Sequence, residues 1–400
     1  MMIQEWKYLI SVLITLMMAR HQSVLWISSI RQVINMSLNK LILNIALKIV
    51  DILTFWVKKD KKRITFVSLT QSHLASDFKL IDDLLKKENK YHIHYNLIEF
   101  EKNLLGDFKY FLNCLKQLVE YKKSALIIIN DNNYVISHCK PQGTKVLQVW
   151  HACGAIKKFG NEIKRQYPIR NYDAIICNAK AWKPVYAKSF GVCEEQVHVT
   201  GMPRIDLLLD DSLQKKNKEE FYKKYPMCVG KKLCLYAPTF RGNIIDGFKI
   251  KSFDFERVES MLSDEYLFLY KFHPLLGDVK VNSSKAINVN EEDLYTLFTV
   301  SDCLISDYSS ILFDYSLLNK KMIAYIDDID EYDKTIGLNV DLRKDFCGPI
   351  CKDEEELANA IKSENKDQRI KSFQKKYMYY TDGKNTTRVI KLIDKLMNDK

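Results

Sequence analysis

Four hundred residues, 47% of them apolar, with a net charge of +11, exceed one compact core and exclude a disordered chain; they suit two domains plus a further segment. Ten cysteines are scattered with no CxxC pair, which excludes a zinc ribbon or a disulfide framework and fits reduced thiols in the cytosol. No small-residue cleavage site follows the first apolar run, which argues against a cleaved signal peptide.

The positive charge is concentrated at the start. Residues 1–63 hold ten basic residues against three acidic ones, a bias that suits an anionic membrane surface or nucleic acid. The apolar run 8–19, "YLISVLITLMMA", is shorter than the roughly 20 residues a spanning helix needs. In the next run, 41–57, Asn44, Lys48 and Asp51 recur at helical spacing and leave Leu, Ile, Phe and Trp on the other face. With "KKDKKR" directly after it, this spacing predicts an amphipathic helix on a membrane surface beside a basic anchor. A helix packed on the protein's own core is the alternative. Aromatics do not interleave with the basic cluster as base-stacking platforms would, so nucleic acid is not expected as a partner.

After Arg63 the pattern changes. Short apolar runs at 63–69, 91–100, 124–131, 145–151, 172–179 and 197–203 read as strands, with helical stretches at 78–88 and 108–121 between them. A charged helical stretch at 210–225 interrupts this rhythm, which resumes with strands at 232–239, 266–273, 286–290, 303–309 and 322–328. The tail from Glu354 reads as two or three helices. Strand–helix alternation of this kind predicts parallel sheets covered by helices. The resulting division is a membrane-associating helical segment at 1–62, a Rossmann-like domain at 63–209, and a second at 210–400 that includes the C-terminal helices. Neither GxGxxG nor GxxxxGK[ST] occurs, so dehydrogenase and P-loop readings lose their main support.

Ligands of open parallel sheets bind beyond the carboxyl ends of the strands, so polar strand ends are the candidate site. "QVWHACGA" ends a strand at His151, and the small Ala152, Cys153, Gly154 and Ala155 would let backbone N–H groups approach an anion. "TGMPRIDLL" places Arg204 on a loop, and "LYAPTFRGN" ends a strand at Thr239, after Pro238, with Arg241 beyond; an arginine on such a loop suits a phosphate clamp. "LYKFHP" alternates Lys271 and His273 around Phe272 before Pro274 stops the strand. In "LISDYSSILFD", Ser309 and Ser310 open a helix whose free N–H groups suit phosphate, and Asp314 one turn on could reach a ribose hydroxyl. Simple serine capping and surface arginines are the bland alternatives. No metal-ligand cluster and no Cys–His dyad stands out. Two α/β domains that each contribute a histidine and anion-binding loops form the layout for group transfer from a nucleotide diphosphate donor.

From His151 to Gly348 these motifs, in order, resemble the CDP-glycerol glycerophosphotransferases, the teichoic acid primases and polymerases and their ribitol-phosphate relatives: "WHACGAIKKFG", "TGMPRIDLL", "LYAPTFR", "KFHP", "SDCLISDYSSILFDYSLLNKK" and "CGPI". The resemblance implies a GT-B-like fold, with two Rossmann-like domains facing a cleft, and transfer of an alditol phosphate from CDP-glycerol or CDP-ribitol. The acceptor would be an undecaprenyl-linked or polymeric hydroxyl, with release of CMP, at the cytoplasmic face of the membrane. It implies no cofactor, the CDP-alditol being a co-substrate, and no metal. His151 would be the general base and His273, with Lys271, would meet the donor pyrophosphate. Ser309 and Ser310 would contact phosphate and Asp314 the ribose, while the backbone at 152–155, Arg204, Pro238 and Thr239 would line the donor pocket. Ala152 and Cys153 stand where many members carry glycine and threonine, a departure that bears on donor or acceptor preference. A GT-B glycosyltransferase with a nucleotide-sugar donor and a non-catalytic basic membrane-binding protein are the rival readings.

Overall fold

The computed structural model of the chain describes residues 39–398 except 102, 244–246, 251, 273–278, 280 and 364–368, and at 240–249 the backbone alone. A helix over 39–53 leads into β1 (Asp60–Ser68), β2 (His92–Leu97), β3 (Ser124–Ile129), β4 (Lys145–Gln148), β5 (Ala174–Cys177) and β6 (Val197–Val199). There follow β7 (Lys232–Tyr236), the antiparallel pair β8 (Phe240–Asn243) and β9 (Gly247–Ile250), β10 (Tyr266–Tyr270), β11 (Ile287–Asn288), β12 (Cys303–Ser306), β13 (Lys321–Tyr325) and β14 (Ile350–Cys351). Two all-parallel sheets result, ordered β2-β1-β3-β4-β5-β6 and β11-β10-β7-β12-β13-β14. Their central strands are buried on both faces, as the apolar runs "SALIII" and "CLIS" require.

Strand order locates the ligand crevices. It reverses between β1 and β3 in the first sheet and between β7 and β12 in the second, and the carboxyl ends at such a reversal leave an open crevice. All eleven strands read from the sequence are present. The β8–β9 hairpin was not read, so Arg241 lies in a strand paired with Lys249 rather than on a loop. The two-residue β14 is too short for a periodic pattern to reveal.

The halves are joined by packing. Gly154 lies against the rings of Trp182 and Phe313, a Cβ there being 2.5 and 2.6 Å from them. The backbone at 156–158 pairs with 337–339, Asn339 N–H donating to the Ile156 carbonyl at 2.7 Å. The last helix, Asn385–Asn398, which the sequence reading grouped with the second half, crosses back to the first. Asp206 accepts from the N–H groups of Asn385 and Thr386 at 2.9 and 2.8 Å, capping that helix, and Tyr91 bonds Asp394 at 2.7 Å.

The 39–53 helix packs against the protein along one side. Leu43 and Leu47 are buried, Asn44 accepts from the Tyr134 hydroxyl at 2.9 Å, and Asp51 pairs with Lys122 at 2.6 Å. Asn44 and Asp51 therefore bond to the protein, while Lys48 is exposed and Leu41, Ile42, Ile45, Ile49, Ile52 and Leu53 face outward, followed by Phe55 and Trp56 at 84% and 67% exposure. Among the described residues no helix is long and apolar enough to cross a membrane.

Because both rings lie within 3 Å of where a side chain would begin, Gly154→Val should lower stability by about 1–3 kcal/mol, the usual cost of overpacking. Urea unfolding would measure it, and a variant as stable as the wild type would contradict this packing.

Candidate active site

β4 delivers His151 through a strained turn. Trp150, two residues past the strand, has φ +56°, a left-handed conformation that is uncommon for a bulky side chain. Its N–H donates to Gln148 Oε1 at 2.7 Å, and its ring lies 3.9 Å from that of His151, 5.0 Å from Phe159 and 5.1 Å from Phe190. The turn swings His151 out of the sheet towards the β1/β3 crevice. There Nδ1 lies 3.0 Å from the Asn130 carbonyl. A carbonyl only accepts, so Nδ1 carries the proton and the neutral ring presents a free lone pair on Nε2. His151 keeps an accessible surface, yet desolvation by the surrounding protein lowers its pKa, the nearby Arg204 adding to this against the Asn130 bond and Asp77.

The backbone of His151 is held as well. Arg204 Nη1 donates to the His151 carbonyl at 3.0 Å, while Asp77 takes the Arg204 backbone N–H at 2.8 Å, Nε at 2.7 Å and the second terminal nitrogen. Asp77 belongs to the helix Ser76–Glu88, 127 positions earlier. Arg204, expected as a phosphate clamp, is thus committed to a buried ion pair and to the histidine's own backbone.

The stretch 152–155 was expected as an open nest of N–H groups, and the structure corrects this. Gly154 is small because Trp182 and Phe313 press on it. Cys153 and Ala155 are buried, the Cys153 carbonyl accepts from Asn178 at 2.7 Å, and the Ala152 carbonyl accepts from the Tyr186 hydroxyl at 3.4 Å. Burial, helped by Asp314, pushes the Cys153 thiol pKa up, so it is no nucleophile. Asp314 itself faces Cys153 and accepts from Tyr295 at 3.0 Å; burial pushes its pKa up to about 6 against the pull of Cys153, Arg204 and Tyr295. Its remaining oxygen is fully enclosed, so the geometry places Asp314 in the contact between the halves and gives a ribose hydroxyl no open route to it.

In the second half the β7/β12 crevice gathers several expected residues. Asp307 accepts from Thr239 N–H and Oγ1 at 2.7 and 3.0 Å, bridging the two strand ends beside the buried Pro238. Ser309 Oγ accepts from Ile311 N–H at 3.4 Å, a local cap, whereas the half-buried Ser310 makes no side-chain cap at the helix Ile311–Ser316. Two expectations fail here. Lys271 Nζ is folded onto the carbonyls of Asn290 and Glu292 at 2.5 and 2.9 Å, closing that loop. Phe272 is a core residue against Tyr236 and Tyr270. The side chain of Arg241 and the whole of His273 lie outside the described residues. Sequence reasoning missed Asp77, Asn130 and Gln148, because a helix-opening aspartate and strand-end amides carry no local mark of partners far along the chain.

Comparison with known proteins fits this architecture. Residues 50–395 match the family model described as CDP-Glycerol:Poly(glycerophosphate) glycerophosphotransferase. A teichoic acid poly(ribitol-phosphate) polymerase of Bacillus spizizenii is 31% identical over 351 residues, covering 82% of this chain and 55% of that protein. A teichoic acid ribitol-phosphate primase of the same organism is 29% identical over 377 residues, covering 85% of this chain and 92% of that protein. This chain therefore spans about half of the polymerase and nearly all of the primase. In fold it is similar to a structure of the wall teichoic acid polymerase TagF, with a TM-score of 0.70 and 23% identity, covering 93% of this chain and 97% of that one. The match across most of the chain, together with these relatives, makes this protein a member of the CDP-glycerol:poly(glycerophosphate) glycerophosphotransferase family.

Proposed function

We propose that the protein transfers an alditol phosphate, glycerol phosphate or ribitol phosphate, from its CDP-activated form to a hydroxyl of a lipid-linked or polymeric acceptor in teichoic acid synthesis. The observation that carries this reading is His151: an exposed imidazole beside the switch point with Nδ1 tied to the Asn130 carbonyl, which leaves Nε2 as the proton acceptor. The acceptor hydroxyl attacks the alditol-bearing phosphorus and gives its proton to Nε2. The bond from that phosphorus to the CMP oxygen breaks, and CMP leaves with its own phosphate. Ser309 and Ser310, at the opposite switch point, suit the phosphate oxygens, and His273 of the "KFHP" motif is assigned to the pyrophosphate from the sequence alone. Chemistry of this kind needs orientation and charge stabilisation more than covalent help.

We infer also that the enzyme works on a membrane surface. The outward apolar face of the 39–53 helix, Phe55 and Trp56 adjoin the basic residues Lys58, Lys59, Lys61, Lys62 and Arg63, the combination that binds anionic interfaces. A lipid-linked acceptor would be met there.

His151→Ala should reduce CMP release by about 10²-fold or more, from typical general-base contributions, while leaving CDP-alditol affinity intact; turnover near that of the wild type would contradict the assignment. A base must be neutral to act, and the His151 pKa is held below the ordinary 6.5. Activity is therefore retained as pH falls through that value and is lost only through the lower, folded-state pKa; a kcat/KM acid limb centred above 6.5 would refute it. For the membrane reading, the double substitution Phe55→Ser, Trp56→Ser should weaken co-sedimentation with phosphatidylglycerol vesicles at least ~10-fold, since each buried aromatic contributes roughly 1.5–3 kcal/mol. Unchanged sedimentation would remove the basis for it.

A further inference from the structure

Resting on the transferase reading above, we propose that Gln148 is the positioning residue for the base, a splint that sets both the turn and the tautomer of His151. Gln148 is fully buried at the end of β4. Its amide makes two bonds to two chain segments. Oε1 accepts from the Trp150 N–H at 2.7 Å, and Nε2 donates to the Asp131 carbonyl at 2.7 Å. One partner is an obligate donor and the other an obligate acceptor, so the orientation of this amide is forced.

The two segments are the ones that matter to the base. The first is the left-handed turn that carries His151; the second is the loop whose Asn130 carbonyl accepts the hydrogen bond from Nδ1. Strain at Trp150 persists only if surrounding bonds over-determine it, and the Gln148 bond to its N–H is the direct restraint. The loop is immobilised from the other side. Asp131 Oδ2 accepts from Leu69 N–H at 2.6 Å. Asn133 Nδ2 donates to Gln117 at 3.2 Å, Gln117 to Asn96 at 3.0 Å, and Asn96 to Asn113 at 3.0 Å. This row of buried amides fixes the loop to β2 and to the helix Leu104–Lys123. Gln148 is the bond that transfers that fixed frame to the catalytic turn. Without it the turn relaxes, the carbonyl and Nδ1 part, and the proton can settle on Nε2, where it blocks base catalysis.

Two substitutions separate the arms. Gln148→Met keeps the volume and loses both bonds; Gln148→Glu keeps the acceptor for Trp150 and loses the donor to Asp131. Turnover, measured as CMP release, should fall about 10²-fold in Gln148→Met, the scale of a misplaced catalytic group, and less in Gln148→Glu, with the KM for the CDP-alditol unchanged in both. The independent readout is 15N NMR of histidine-labelled protein, with His151→Asn used to assign the signal. The wild type should show His151 protonated on Nδ1, and Gln148→Met should shift it towards the Nε2-protonated form. A wild-type His151 protonated on Nε2 overturns the proposal without any variant. So does a Gln148→Met protein with wild-type turnover and an unchanged tautomer. If the protein releases no CMP at all but the tautomer shifts as stated, the transferase reading fails and the splint stands.

Discussion

A tryptophan held in left-handed backbone costs on the order of 1–3 kcal/mol, and the chain keeps Trp150 there by stacking its ring among His151, Phe159 and Phe190 and by bonding its N–H to Gln148. The rest of the site depends on that turn. Without it β4 would run on and His151 would point along the sheet. With it the histidine reaches the Asn130 carbonyl, and the following residues drop into the contact between the halves, where Gly154 meets Trp182 and Phe313. One local constraint thus orients His151 and joins the two sheets.

Electrostatics divides the surroundings of His151 into two roles. The Asp77–Arg204 pair is buried and mutually satisfied, so its charge is spent on holding the His151 carbonyl rather than on a ligand. Asp314 and Cys153 face each other across the halves, both with pKa values raised by burial. Both lie in the contact between the halves, beside Tyr295. Both crevices stay at the strand ends where the order reverses, β1/β3 beside His151 and β7/β12 beside Thr239 and Ser309. Of the two positions that depart from Gly-Thr, Cys153 is buried in this contact and Ala152 is half-buried beside it.

Much of this was legible in the sequence, for physical reasons. Every buried parallel strand must be a continuous apolar run, so "SALIII" and "CLIS" declared themselves, and polar groups at their ends marked His151, Thr239 and Ser309. Lys271 was misread because alternation along a strand says which face a side chain takes but not that its amine turns back onto the Asn290 and Glu292 carbonyls. Phe272 was drawn into the site by its neighbours in "KFHP" although aromatic residues belong first to cores. Asp77 and Gln148 act through partners brought close only by the fold, and one sequence does not display such pairs. The run 41–57 was read as an amphipathic helix; the helix observed over 39–53 buries Leu43 and Leu47 and bonds Tyr134 and Lys122 through Asn44 and Asp51, which leaves its other apolar residues outward.

The central claim is that a phosphorus atom moves with the alditol. It is tested most directly with a CDP-alditol carrying 32P only on the alditol-side phosphate, incubated with the protein and an acceptor-bearing membrane fraction. The account predicts label in the acceptor and unlabelled CMP in solution. Release of labelled CDP, the signature of a transfer that leaves both phosphates behind, would contradict it.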